Sequence, residues 1–138
     1  MTASMTRLFV HFVWGTYQRH PWVVGSVREL AYKVVARKCQ DNKAQVLALD
    51  GVEDHVHLLV KIAPDVAITK LIADIKGSSS HAINQEWPHD TFAWQDGYGA
   101  FTVSQSGVEA VHAYIRNQDQ HHHAACSRIG MLDAPQTS

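Results

Sequence analysis

The sequence predicts an α+β domain in which one antiparallel sheet packs against helices. Three observations predict this class. Stretches rich in β-branched and aromatic residues alternate with stretches in which apolar residues recur every three to four positions. A short connection with a turn signal joins two of the predicted strands, as in an antiparallel hairpin. The chain has 138 residues, 46% of them hydrophobic and 18% charged, so it can bury one core.

The first half of the chain opens with a strand predicted over residues 8–16, the stretch LFVHFVWGT. A loop broken by Pro21 follows. Ser26 is a candidate N-cap for a helix that runs to about Gln40. The apolar residues at helical spacing in this helix are Val27, Leu30, Ala31, Val34 and Val35. This spacing is typical of an amphipathic helix.

A hairpin is predicted next. Strands over 44–49 and 55–62 flank Asp50-Gly51, which is a turn signal. A second helix follows the hairpin, because apolar residues recur there at positions i, i+3, i+4 and i+7. These residues are Ile68, Leu71, Ile72 and Ile75. We expect this stripe to be buried.

The last third of the chain is predicted to hold short strands over 92–94 and 98–103. Ser106 and Glu109 form the capping-box pattern S-x-x-E, which opens a helix predicted over 108–121. The order of elements is therefore β-α-β-β-α-β-α. The first six elements are those of a ferredoxin-like split βαβ unit, an antiparallel sheet with helices on one face, and the seventh is a C-terminal helix.

Composition limits the classes of protein that fit this chain. No apolar run reaches the roughly 18 residues of a membrane span, and the N-terminus lacks a signal-peptide pattern. Cys39 and Cys126 are far apart and in no metal-binding spacing, which favours a cytoplasmic protein with free thiols. We expect one domain over 1–123 and a short, flexible tail over 124–138.

The charge argues mildly against a general nucleic-acid binder, because the net charge is -1 and such domains are often strongly basic. Residues 1–50 nevertheless hold seven Lys or Arg against three Asp or Glu. A basic surface and a single solvated helix would both produce this bias.

The most informative motif is His55-Val56-His57, within the strand predicted over 55–62. Side chains alternate between the two faces of a strand, so His55 and His57 share one face and Val56 lies on the other. Two neighbouring imidazoles can bind one metal ion. A half-exposed polar face of a strand is the alternative interpretation of the motif.

Tyr114 and Gln118 lie four residues apart in the last predicted helix and therefore share a flank of it. A tyrosine hydroxyl has a pKa of about 10 and is a poor nucleophile at neutral pH without help. A metal held by His55, His57 and the Gln118 amide oxygen would supply that help at a phosphate. Such nitrogen and oxygen ligands suit magnesium or manganese, although zinc or nickel can bind similar sets. The product would be a phosphotyrosine, which conserves the energy of the phosphodiester.

These segments resemble the single-tyrosine transposases of the smallest bacterial insertion sequences, which belong to the HUH nuclease superfamily. The resemblance covers about residues 7–123. It rests on an ordered set of segments: HFVWGTYQRHPWV, DHVHLLV, IKGSSSHAIN, WQDGYGAFTVS and YIRNQDQHH.

The resemblance implies a role for each site residue. His55 and His57 match the metal-binding pair, and Gln118 matches the third ligand. Tyr114 matches the nucleophile that forms a 5′-phosphotyrosine with single-stranded DNA and frees a 3′-hydroxyl. The resemblance also implies a homodimer in which the tyrosine helix of one subunit can complete the partner's site. The implied DNA partner is single-stranded, with hairpins at the element's ends.

Weaker signals concern contacts with DNA. The candidate contacts are Arg19, Lys76, Ser78, Ser79 and Tyr98. Lys76 and the serines offer a cation and hydroxyls for phosphates, although Gly77 among them would also suit a helix C-cap. Trp14, Trp94 and Tyr98 could stack on unpaired bases, but such aromatic residues more often belong to a core.

The sequence leaves the roles of two further segments open. Asp54 would orient a histidine, or it would only form a turn. His121-His122-His123 matches the related family only at its first two positions, and none of the three is assigned to a metal.

Two other functions compete with a metal-dependent transposase. A non-catalytic protein that binds DNA hairpins would retain the scaffold, and the C-terminal sequence HAACSRIGMLDAPQTS, which replaces the longer charged segment usual in relatives, leaves room for it. A zinc hydrolase that uses only the histidines would leave Tyr114 without a role. The intact Tyr114 and Gln118 favour the transposase.

Overall fold

The computed structural model describes residues 4–118, which form one four-stranded sheet and three α-helices. The strands are β1 (Leu8–Gly15), β2 (Ala44–Val52), β3 (His55–Ile62) and β4 (Gly99–Val103). The helices are α1 (Gly25–Asp41), α2 (Ile68–Glu86) and α3 (Val108–Arg116). The domain boundary expected at residue 123, the tail expected over 124–138 and the histidines at 121–123 lie outside the described residues.

The sheet is antiparallel, with the strand order β2-β3-β1-β4. In this order β1 and β3 occupy the centre, and the two helical crossovers return the chain to the sheet from the same side, as in a ferredoxin-like unit. The predicted α+β class and its element order are therefore confirmed. None of the helices within residues 4–118 is long and apolar enough to cross a membrane.

Alternation along the central strands creates two apolar layers. The first layer joins α1 and α2 to the sheet. Its largest fully buried side chains include Trp14, Phe12, Leu58, Leu71 and Ile72. The second layer lies on the opposite face, under α3, and contains Phe9, Ala48, Leu59, Val103, Val111 and Ile115. The C-terminal helix is therefore held on the face of the sheet that α1 and α2 leave open.

The turn between β2 and β3 comes later than the sequence predicted. Asp50 and Gly51 lie inside β2, and the turn is at residues 53–54. A Cβ at Gly51 would collide with the backbone oxygen of His55, so glycine serves a close approach of two strands here rather than a turn. The later turn places Asp54 directly before the first histidine of β3.

Two predicted helix caps are wrong. Ser26 lies within the first turn of α1, because the extended backbone that precedes this helix is at Val24. Ser106 lies in a short 3-10 turn over Gln105–Gly107, which Ser104 caps by accepting a hydrogen bond from the backbone N–H of Gly107, and α3 begins after Gly107 without a side-chain cap. In both places the backbone conformation, which the residue pattern does not specify, decides where the cap falls.

Two elements also differ in extent from the prediction, and a third settles an open alternative. The last helix, α3, is interrupted after Arg116, where the Asn117 side chain donates to the Ala113 carbonyl. Gln118 is again helical, and residues 119–121 of the predicted helix lie outside the described residues. The strand predicted over 92–94 is reduced to a single bridge between Trp94 and Thr16. Helix α2 continues past Gly77 to Glu86, so Gly77 is not a helix C-cap.

Candidate active site

The histidines of β3 lie on the face of the sheet that α3 covers, and both are 2% exposed. Val56 and Leu58 lie on the opposite face, in the layer under α1 and α2. The predicted alternation of the strand is therefore confirmed. This burial contradicts the alternative interpretation of a half-exposed polar face. Two almost fully buried imidazoles also need polar partners of their own.

Tyr114 lies beside these histidines. Its ring stands edge-on to His57, with 5.6 Å between ring centroids. Val111 and Ile115 anchor α3 in the apolar layer beneath it, and this packing turns Tyr114 towards the polar end of the same face. One chain therefore brings the tyrosine and the histidines together without a second subunit.

Gln118 is 2% exposed and follows the end of α3. Its side-chain nitrogen donates to the backbone carbonyl of Tyr114 at 3.2 Å. This bond ties the amide to the residue that carries the hydroxyl and assigns the amide nitrogen as donor, which makes the amide oxygen the atom suited to a metal. The bond agrees with the predicted spacing of four residues, while the role of Gln118 as a metal ligand remains a prediction.

Asp54 holds the ring of His55. The Nδ1 atom of His55 lies 2.7 Å from Oδ1 of Asp54. Arg19 donates to the same oxygen at 3.2 Å. Burial raises the pKa of Asp54, but the hydrogen bonds from His55 and Arg19 and the charge of Arg19 outweigh it and lower this pKa to about 2. The carboxylate is thus ionised and can only accept, so Nδ1 of His55 carries a proton and Nε2 holds the lone pair suited to a metal.

Arg19, which the sequence predicted only as a DNA contact, lies beside His55. Its Nη2 atom lies 3.3 Å from Nδ1 of His55, and its side chain is 32% exposed. Gln18 and Arg19 both adopt the left-handed conformation, with φ of 51° and 58°. Non-glycine residues adopt this conformation rarely and often near functional sites. Arg19 is therefore a cation at the edge of the histidine site.

His11 completes the cluster, and sequence reasoning missed it. It lies in β1, is fully buried, and its Nε2 atom is 2.9 Å from Nδ1 of His57. Burial lowers the pKa of His11 to about 4, so the ring is neutral at neutral pH. Its position in the strand was the available signal in the sequence, since residues 9, 11 and 13 share one face. That signal does not identify His57 as the partner.

The histidines do not form a larger cluster with acidic or sulfur ligands. Within residues 4–118, no set of three or more His, Cys, Asp or Glu side chains is arranged to hold a metal ion. Among residues 4–118, a further ligand for a metal bound by His55 and His57 would therefore be of another type. Gln118 is the residue of that type that the sequence singled out.

Lys76 and Ser78, two further candidate DNA contacts, also have structural partners. Lys76 donates to the carbonyl oxygens of Gln95 and Gly97 at 2.7 and 2.8 Å, which ties α2 to the loop before β4. Desolvation lowers its pKa. Ser78 donates to Asp74 at 3.1 Å. A phosphate contact by Lys76 or Ser78 remains a prediction.

The aromatic candidates and Ser79 divide between core and surface. Ser79 is fully buried, and its hydroxyl accepts a hydrogen bond from the Trp94 indole at 2.9 Å. This burial removes Ser79 from the candidate DNA surface. Trp14 is fully buried and Trp94 is 8% exposed, so both belong to the core. Tyr98 is 37% exposed and remains a candidate for base stacking.

Residues 4–118 match the sequence model of a family described as "Transposase IS200 like". The chain belongs to the IS200-like transposase family. Similar proteins of known name include the ISDra2 transposase TnpA of Deinococcus radiodurans, which is 26% identical over 118 residues, or 81% of this chain and 84% of that protein. The transposase for insertion sequence element IS200 of Salmonella typhimurium is 23% identical over 114 residues, or 78% of this chain and 74% of that protein.

Solved structures show the same fold for this IS200-like transposase. A crystal structure of a transposase from Deinococcus radiodurans superposes with a TM-score of 0.69 at 26% identity, covering 86% of this chain and 95% of that one. A REP-associated tyrosine transposase bound to a REP hairpin superposes with the same TM-score of 0.69 at 12% identity, covering 100% of this chain and 92% of that one. The second match supports the fold alone.

Proposed function

We propose that this IS200-like transposase cleaves and rejoins single-stranded DNA at the ends of an insertion sequence through a 5′-phosphotyrosine at Tyr114. The observation that carries the proposal is the place of Tyr114, edge-on to His57 at 5.6 Å between ring centroids within one chain. The Tyr114 ring packs against the edge of the apolar layer under α3, beside the paired histidines. This position suits a nucleophile next to a metal site.

The residues present fit a divalent magnesium or manganese ion. His55 has its Nδ1 atom bonded to a carboxylate, which is the arrangement that metal-binding histidines usually show. His55, His57 and Gln118 would hold the ion as two nitrogens and one amide oxygen. When bound, the ion would polarise a phosphoryl oxygen and neutralise the charge that develops on it.

The protein's own residues would carry out the remaining steps. The Tyr114 hydroxyl oxygen forms a bond to phosphorus, the bond from phosphorus to the 3′ oxygen breaks, and a proton is transferred in net from the tyrosine to that oxygen. The 5′ end remains on Tyr114. Attack by a 3′-hydroxyl reverses the step and reseals the strand, so no ATP is required. Arg19, at the edge of the site, would bind a phosphate of the substrate strand.

The proposed partner is single-stranded DNA with hairpin ends. The REP-associated tyrosine transposase, which shares the fold, is bound to a REP hairpin, and we extend that kind of ligand to this protein as part of the proposal. Lys76, Ser78 and Tyr98 are the proposed contacts outside the site. A homodimer and a cytoplasmic location remain predictions from the family resemblance and the composition.

A covalent adduct tests the proposed function. The protein is incubated with manganese and single strands that carry the DNA flanking its coding sequence, and the products are separated on a denaturing gel. We expect a protein–DNA adduct from the wild-type protein and from Tyr17→Phe, whose hydroxyl lies on an exposed residue. Tyr114→Phe removes only one oxygen, and we expect it to keep the fold and to lower the adduct at least about 100-fold.

The outcomes separate the proposed function from its alternative. An adduct of undiminished yield from Tyr114→Phe would contradict the assignment of the nucleophile. Hairpin binding without an adduct from the wild-type protein would favour a non-catalytic protein that retains the scaffold. The zinc hydrolase has less support, because it leaves the position of Tyr114 beside His57 unexplained.

A further inference from the structure

His11 and His57 share a single proton. Their nitrogens, Nε2 of His11 and Nδ1 of His57, lie 2.9 Å apart, and both rings are buried. Two N–H groups at this distance would repel each other, and two lone pairs would leave both nitrogens unsatisfied. One ring therefore donates and the other accepts. The donating ring determines whether Nε2 of His57 carries a proton or offers a lone pair to a metal.

The two possible arrangements differ at the remaining nitrogens. If His11 donates, the neutral ring of His57 carries its proton on Nε2, which blocks that atom as a metal ligand. If His57 donates, its Nε2 holds a lone pair, and His11 must carry its proton on Nδ1. The Nδ1 atom of His11 is buried and has no hydrogen-bond partner among the described residues.

An unsatisfied buried donor is less stable than a buried nitrogen without a proton, since an N–H group depends more strongly on a partner. The arrangement in which His11 donates is therefore favoured while no metal is bound. A metal at Nε2 of His57 reverses the preference. Asp54 therefore fixes the tautomer of His55 before a metal binds. The tautomer of His57 depends on whether a metal is bound.

We propose that His11 is a positioning residue which accepts a hydrogen bond from Nδ1 of His57 when a divalent metal binds, and that metal binding exchanges the tautomers of both rings. The exchange conserves protons. His57 loses the proton on Nε2 and gains one on Nδ1, while His11 loses the proton on Nε2 and gains one on Nδ1. This inference rests on the proposed metal site and deepens it.

Two substitutions at His11 distinguish positioning from packing. His11→Gln places an amide oxygen near the position of Nε2 and can accept from His57, whereas His11→Phe keeps the ring but cannot accept. We expect His11→Phe to bind manganese about 10- to 100-fold more weakly than the wild-type protein in calorimetry, and His11→Gln to stay within a few-fold. Stability without metal should show the opposite order, because Phe suits a buried position better than Gln does.

Nitrogen-15 spectra of the imidazole rings provide a measurement that does not depend on any variant. In the wild-type protein without metal, we expect both His11 and His57 to carry the proton on Nε2. After addition of magnesium or zinc, which are diamagnetic, both rings should carry it on Nδ1. A His57 ring already protonated on Nδ1 without metal, or unchanged tautomers in the metal complex, would overturn the inference.

The result for the wild-type protein separates this inference from the proposed function. Manganese binding that His11→Phe leaves unchanged would overturn the role of His11 and leave the metal site standing. Failure of the wild-type protein to bind manganese at all would overturn both. If His11→Phe does not fold, the spectra of the wild-type protein still decide the inference.

Discussion

The ring of Tyr114 stands edge-on to the ring of His57, at an angle of 77° and with 5.6 Å between centroids. The two side chains come from α3 and β3, which α2 and β4 separate along the chain. They meet because α3 packs on the face of the sheet that the other helices leave open. This meeting of a nucleophile candidate and a ligand candidate is the geometric basis of the predictions that follow.

We predict that His57→Ala weakens manganese binding at least about 10-fold and stops cleavage, while hairpin binding persists. The substitution removes one proposed ligand, whereas the proposed contacts with DNA outside the site are on other elements. Calorimetry measures the metal affinity, and a gel-shift assay with a DNA hairpin measures the second property. Unchanged manganese affinity would refute the ligand role.

A mixing experiment tests whether the site is completed within one subunit. The resemblance implied that the tyrosine helix could act in the partner's site, but Tyr114 lies beside the His57 of its own chain. We therefore predict that mixing Tyr114→Phe with His57→Ala restores no cleavage, because each site in a mixed dimer then lacks its nucleophile or a ligand. Cleavage at a substantial fraction of the wild-type rate, with subunit exchange verified, would establish action in the partner's site instead.

The pKa of Asp54 predicts a dependence of stability on pH. This pKa is about 2, below the ordinary value of 3.8, so the ionised carboxylate stabilises the folded protein at pH values above about 4. As the pH falls from about 4 to 2, the contribution of about 2 kcal/mol is lost. We predict that Asp54→Asn lowers the free energy of unfolding by roughly this amount at pH 7 and that the difference shrinks towards pH 2.

Denaturant unfolding without metal, at several pH values, measures this difference. Asp41→Asn is a matched control, because the Asp41 carboxylate is half exposed and pairs with Lys38 across one helical turn. Such exposed pairs contribute little to stability. A pH-independent difference for Asp54→Asn would show that the carboxylate charge is not what stabilises the fold.

Gly51 offers a prediction about the hairpin that carries the site. A Cβ at this position would collide with the backbone oxygen of His55 across the strand pair. We predict that Gly51→Ala destabilises the protein by about 1–3 kcal/mol, the range for forced overpacking, and also weakens manganese binding by displacing His55. Gly77→Ala is the control, since a Cβ there meets no atom within 4 Å, and it should be neutral or stabilising. Equal stability of the two variants would contradict the close approach at Gly51.

Much of the site could be predicted because it depends on local periodicity. Alternation along one strand is sufficient to place His55 and His57 together, and a spacing of four residues is sufficient to associate Tyr114 with Gln118. The burial of Val111 and Ile115 follows from helical spacing in the same way. These relationships need only the geometry of one element, and the structure bears out the strand faces and the packing of the last helix.

The errors lie where the answer depends on a partner distant in sequence. Asp50-Gly51 has the residue types of a turn, but the pairing of β2 with β3 continues through it. Ser79 has a polar side chain in a serine-rich segment, but the Trp94 indole gives its hydroxyl a partner in the core. In each case a tertiary contact stabilises a structure that local preference alone would not predict.

The sequence by itself therefore determined the order of elements, the ferredoxin-like class, the family motifs and the face on which two histidines lie, because each follows from spacing along the chain. Only the tertiary structure decided that His11 meets His57, that Asp54 bonds to both His55 and Arg19, and that Tyr114 lies beside the histidines of its own chain. The physical reason is the distance along the sequence over which each effect acts. Periodicity acts over a few residues, whereas a buried polar group finds its partner wherever strand register and helix packing bring one within hydrogen-bond distance.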